Sequence, residues 1–167
     1  MTRAVAALAL AALLAGCGSP TPTVTDTPGS RLERAALRAG LVADPASGDP
    51  VGSWAAETDR LCIVPQDGGA LRIGAVIDYG EGQGCAAAGV ARRRGSDLAI
   101  AFGPCRFDAR FEGDRIVFPA ALPAGCDRYC TGRATLDALT VERLSASRAE
   151  AATLRTPSGK RLCTMGE

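Results

Sequence analysis

Few side chains in this sequence can do chemistry. Among 167 residues there is no histidine and one lysine, Lys160, beside seven cysteines and a near-balance of 19 basic and 18 acidic side chains. Without imidazole the usual general base, the usual activator of a nucleophile and the commonest metal ligand are missing. Catalysis would then rest on carboxylates, Lys160 or a thiol. Six cysteines, Cys62, Cys85, Cys105, Cys126, Cys130 and Cys163, follow residue 60, and an even number of this kind in an oxidising compartment forms a disulfide framework. Cys126-Asp127-Arg128-Tyr129-Cys130 is one residue longer than a thioredoxin-like redox pair and has no second pair or histidines to complete a zinc site. These two thiols are read as bridged, and no metal or cofactor is expected.

The remaining constellations have conformational explanations. Gly80-Glu81-Gly82-Gln83-Gly84 has neither the lysine nor the following helix that hold a phosphate, and reads as a mobile hairpin loop. Asp78 with Glu81, and Glu112 with Asp114, flank turns where acids are favoured by backbone geometry. Ser158 near Lys160 is a turn serine beside a lysine that would need burial to lose its proton. No catalytic residue is assigned, and the chain is read as no enzyme. The densest charge is Arg92-Arg93-Arg94. It is either a solvated hairpin end or an anion-facing patch for lipid, lipopolysaccharide or an acidic protein. The balanced total charge argues against a nucleic-acid partner.

The elements that carry these residues begin with an address. Arg3, an apolar run from Ala4 and the closing Leu14-Ala15-Gly16-Cys17 make a secretory signal, too short to span a bilayer of roughly 20 apolar residues. This lipobox resembles that of bacterial prolipoproteins. The resemblance implies cleavage before Cys17, diacylglycerol on its thiol and an acylated amine, a covalent lipid as the only attached group. Gly18 stands where an aspartate commonly signals inner-membrane retention in that family. The implied location is the outer membrane facing the periplasm, with inner membrane and cell surface left open.

Residues 17–30 read as the lipidated cysteine and a flexible tether of Ser, Thr, Pro and Gly, able to reach about 40 Å when extended. Residues 31–50 read as a short helix and linker. Ser30-Arg31-Leu32-Glu33 is a capping box, Gly40 is placed to end the helix, and Leu32, Ala36 and Ala39 form a weak apolar stripe. The breakers Asp44-Pro45, Ser47-Gly48 and Asp49-Pro50 then set a boundary near Val51.

Residues 51–167 read as a disulfide-stapled β domain. Leu71, Ile73, Ala75, Ile77 and Tyr79 recur at a spacing of two, as do Leu98, Ile100 and Phe102, and as do Cys105, Phe107, Ala109 and Phe111 against Arg106, Asp108 and Arg110. Gly-rich turns at 66–69, 80–84, 95–97 and 112–114 suit hairpins. The fold class is therefore mainly β: an antiparallel meander or barrel of seven or more short strands with disulfides and one or two short helices. Residues 134–144 fit neither period cleanly. Ser147 to Glu150 caps a short helix, and Lys160 to Cys163 reads as a last strand.

Gly52-Ser53-Trp54, then Cys62 and Cys85, resemble the opening of the bacterial protease-inhibitor family, small lipocalin-like barrels of the periplasm, over roughly residues 52–103. The resemblance implies Trp54 at the barrel floor and a Cys62–Cys85 disulfide. Cys126 and Cys130 are then left for Cys105 and Cys163 in either order. The family inhibits by inserting its N-terminal segment into a protease cleft, whereas here the N-terminus would be held by lipid. The function expected is a lipid-anchored, non-catalytic binding protein, an inhibitor of a protease or another hydrolase, whose partner is a periplasmic or extracellular protein. The alternative is a structural lipoprotein binding lipid, lipopolysaccharide or cell-wall polymer through Arg92, Arg93 and Arg94.

Overall fold

Alternating apolar residues need a common interior, and eight antiparallel strands supply it. In the computed structural model, which describes residues 27–42, 44–45 and 47–164, β1 (Gly52–Ala56), β2 (Asp59–Pro65), β3 (Leu71–Asp78), β4 (Gly84–Arg94), β5 (Asp97–Phe102), β6 (Cys105–Phe111), β7 (Arg115–Val117) and β8 (Thr140–Ser145) close into an up-and-down barrel. The β1–β8 pairing closes it through a register shift between Ser53 and Trp54. Gly52 sits at that seam with φ of 142°, where a Cβ would lie 2.2 Å from the Ser145 carbonyl oxygen. Cys17 and residues 1–16 lie outside the described residues.

The interior is packed. Trp54, Leu61, Ile63, Ile73, Leu98, Phe102, Phe111, Ile116 and Val141 are all at most 1% exposed, and among the described residues no polar or charged residue is buried as a whole. An eight-stranded barrel is just wide enough for its own side chains to fill. Trp54 meets Phe111 edge-on at 6.0 Å and Phe107 meets Phe118 at 4.8 Å.

Both ends are covered. At the end where β1 begins, residues 47–51 cross the opening, and two arginines hold them together with Pro45. Arg143 lies 4.1 Å over the Trp54 ring and donates to the carbonyls of Asp49 (2.6 Å), Val51 (3.1 Å) and Gly113 (3.1 Å). Arg93 lies 5.2 Å over Phe111 and donates to Pro45 (2.7 Å), Gly48 and Gly95 (2.9 Å) carbonyls. Trp54 Nε1 donates to the Pro50 carbonyl at 3.1 Å. Within the stretch expected as linker, the carbonyls of Pro45, Gly48, Asp49 and Pro50 are thus the partners of Arg93, Arg143 and Trp54.

At the other end the long β7–β8 connection folds inward, with Leu136, Leu139 and Cys126 in the core. Phe118 N–H donates to the Leu139 carbonyl at 2.8 Å and closes the loop on itself. Cys85–Cys130 and Cys105–Cys126 bind it to β4 and β6, and the Tyr129 hydroxyl donates to the Phe102 carbonyl at 2.5 Å. This connection resolves the segment 134–144: only β8 from Thr140 is strand, and the residues before it serve as a plug.

The third disulfide is Cys62–Cys163, which corrects the Cys62–Cys85 pairing. Register explains why. Cys62 lies opposite Gly74, which lies opposite Ala88; Cys85 is three residues from Ala88, so its side chain points to the opposite face of the sheet. Cys62 faces outward and Cys85 inward. The Cys62 bridge holds residues 146–164 against the outer face of β2 and β3, where Val64, Val76, Ala151 and Leu162 form a second apolar cluster. Gly74 permits this contact: a Cβ there would be 2.5 Å from that of Leu162. This cover explains why Ile73 to Ile77 are all buried, rather than every second residue, while Tyr79 is exposed. Within the covering segment α2 (Arg148–Ala151) is capped by Ser147, whose Oγ accepts from Glu150 N–H at 3.3 Å. Lys160 to Cys163 is not a strand; Arg161 makes a single bridge with Arg155.

Upstream of Gly40 the chain forms a separate unit containing α1 (Pro28–Arg38). Its cap is Thr27, whose Oγ1 accepts from Ser30 N–H at 3.1 Å, three residues before the expected cap. Pro28 at the first helical position explains the earlier start, because its fixed φ and missing N–H suit that site. Gly40 ends the helix with φ of 68°. None of its residues is buried, and Leu32 is 72% exposed.

Candidate functional site

Strand alternation divides the arginine triplet. Ala91 faces the interior, so Arg93 also turns inward, into the end of the barrel, while Arg92 and Arg94 face solvent. The three side chains are therefore not brought together. Arg93 is occupied by three carbonyls and an aromatic ring, and it holds structure rather than a ligand.

The topology gives Arg92 and Arg94 different neighbours. Across β5, Arg92 lies in a row with Ala99 and Asp108, Arg94 with Asp97 and Arg110, and Val90 with Ala101 and Arg106. Ala99 and Ala101 thus form a low floor between longer side chains from β4 and β6. A groove of about 380 Å³ follows, lined by Arg92, Arg94, Ala99, Ala101, Arg106 and Asp108. Asp108 is also a wall of a second groove of about 420 Å³, which includes Asp97, Arg110 and Glu112. The first is basic and the second acidic.

Arg92, Arg94, Arg106, Arg110, Asp97 and Asp108 are exposed, and among the described residues the fold's hydrogen bonds and ion pairs leave these six unengaged. Glu112 alone of the two grooves pairs, with Arg115 at 3.4 Å. Sequence reading of the triplet missed Arg106 and Arg110. The signal was present: they share one face of β6 by alternation, and the tight turn after Phe102 folds β6 beside β5.

A larger groove of about 650 Å³ runs between β1 and the C-terminal segment, lined by Ser53, Arg60, Leu144, Glu150 and Arg155 among others. Its cations are engaged by the fold: Arg60 donates to the Glu57 and Asp59 carbonyls, both at 2.7 Å, and Arg155 to that of Gly159 at 2.8 Å. Ser53 Oγ is buried there without a partner. Nearby, burial raises the Asp59 carboxyl above the ordinary aspartate range, against the Asp78 backbone amide, and its Oδ1 has no partner.

The other sequence candidates have structural roles. All six described cysteines are bridged, and among the described residues no group of His, Cys, Asp and Glu could hold a metal ion. The glycine loop at 80–84, expected to be mobile, is tied down: Thr131 Oγ1 donates to the Gly82 carbonyl at 2.8 Å and accepts from Gly84 N–H at 3.2 Å. Asp78 accepts from Gly80 N–H at 2.9 Å, a turn contact, and Ser158 Oγ shares a hydrogen with Thr156 Oγ1 at 2.8 Å. Comparison of the chain with protein-family models, with curated proteins and with solved structures finds no match.

Proposed function

We propose that this chain is a lipid-tethered envelope protein that binds another protein on the outer surface of its barrel and catalyses nothing, acting as an inhibitor of a protease or another hydrolase. One observation carries the proposal: the barrel is filled and covered at both ends, while an exposed sheet face presents charged side chains that the fold does not use. A packed lumen leaves no room for the small ligand that open barrels of this size hold, so recognition falls to the outside. Exposed, unpaired arginines cost little to the fold and serve as ready contacts in an interface. The lipobox ending at Cys17 supports attachment to the envelope, and three disulfides suit an oxidising space.

The test is capture of envelope proteins by the full chain, lipid included, solubilised in detergent. At least one partner should be retained saturably, and a hydrolase among the partners should lose activity in proportion to its occupancy. Retention of nothing saturable would end the proposal. A second reading, a structural lipoprotein contacting lipid or cell-wall polymer, is favoured by the exposure of Arg92 and Arg94. It predicts cosedimentation with anionic vesicles or sacculi that weakens as salt rises.

A further inference from the structure

We infer that the adjoining basic and acidic grooves on the outer face of β4, β5 and β6 dock an extended, acid-rich segment of a partner protein that carries one basic residue. This rests on the binding reading above and assigns its surface. The floor is Ala101, Ala99 and Asp97 along β5, about 14 Å by strand rise, enough for five or so extended residues. Arg92 and Arg94 stand on one side and Arg106 on the other. Carboxylates laid along the alanines would meet guanidinium groups from both sides, each able to take two oxygens.

The pattern of charge selects the occupant. An anionic bilayer responds chiefly to net charge, and Asp97 and Asp108, set among the arginines, would oppose it. A protein segment with fixed side chains can match both signs, acids over the first groove and a base over Asp108, and then the same aspartates reject partners of the wrong pattern. Asp108 belongs to both grooves, so it fixes where the basic residue must fall. Their outward position and lack of fold contacts mean that substitution at Arg92, Arg106 or Asp108 should leave the barrel intact, as an unchanged melting temperature would verify.

The probe is an array of synthetic octapeptides of Glu and Thr with a single Lys in every position, beside Glu–Thr peptides without Lys and vesicles containing phosphatidylglycerol. Binding to the full detergent-solubilised chain is read by fluorescence anisotropy and sedimentation. Glu-rich peptides with Lys at a preferred position should bind saturably. Arg92→Ala with Arg106→Ala should weaken them at least tenfold, and Asp108→Asn should remove the preference for Lys. The inference is overturned if the arginine variants bind these peptides as well as the parent does. It is equally overturned if only vesicles bind, more tightly after Asp108→Asn. The capture experiment separates the two levels: a partner retained equally by the Arg92→Ala/Arg106→Ala chain removes this surface and leaves the binding reading, whereas no partner with either chain removes the reading itself.

Discussion

Arg143 shows how much one side chain can organise. Burial lowers its pKa, opposed by the carboxylates of Asp49 and Asp114, yet it stays a cation over Trp54 with three carbonyls to satisfy it. Arg143→Met keeps much of the stem but removes those donors and the ring contact, and should destabilise the fold by about 2–4 kcal/mol, measured by denaturant unfolding with disulfides intact. Asp59 makes the opposite case. Its raised pKa means the folded state retains a proton that the unfolded chain releases. Stability is therefore undiminished below the unfolded aspartate value of about 3.9, falls as pH rises toward the folded value, and is level beyond it. Asp59→Asn should be more stable than the parent at neutral pH, with the difference closing as pH falls below about 4; melting curves across that range check the sign.

Among the elements, the strands could be read from sequence and the segments that cover them could not. The alternation in β3, β5 and β6 requires only a period of two, and the turns at 66–69, 95–96 and 112–114 carry their own glycines. Pairing of cysteines, by contrast, depends on which face of which strand each occupies, and the parity that separates Cys62 from Cys85 appears only once the register of β2, β3 and β4 is known. The strap of Pro45 and residues 47–51 looks like a linker because its contribution is backbone carbonyl oxygen, which no residue type announces. The same parity was legible in the arginine triplet, where Ala91 inward implies Arg93 inward. The bridges should differ in worth. Cys62–Cys163 spans 101 residues and Cys105–Cys126 spans 21. In the chain-entropy picture these correspond to about 4.7 and about 3.3 kcal/mol. Cys62→Ala with Cys163→Ala should thus cost more than Cys105→Ala with Cys126→Ala, and should also raise binding of an apolar dye by uncovering Val64 and Val76. Dye fluorescence and denaturation midpoints on the two double variants measure both effects.

At the scale of the whole molecule, the barrel is filled by its own side chains and covered at both ends, so the recognition proposed above falls to its outer surface. Apolar dyes added to the intact protein should therefore give no saturable lumenal signal. The disulfides link the barrel's plug and outer cover to its strands, which suits the oxidising space proposed for the protein, and the lipobox ending at Cys17 is the proposed means of keeping the chain there. Intact-mass spectrometry of the protein extracted from membranes tests both together. The mass expected is that of a chain beginning at Cys17, increased by diacylglycerol and one acyl group and decreased by the hydrogens of six bridged thiols. A chain that retains residues 1–16, bears no lipid and has all its thiols free would contradict it.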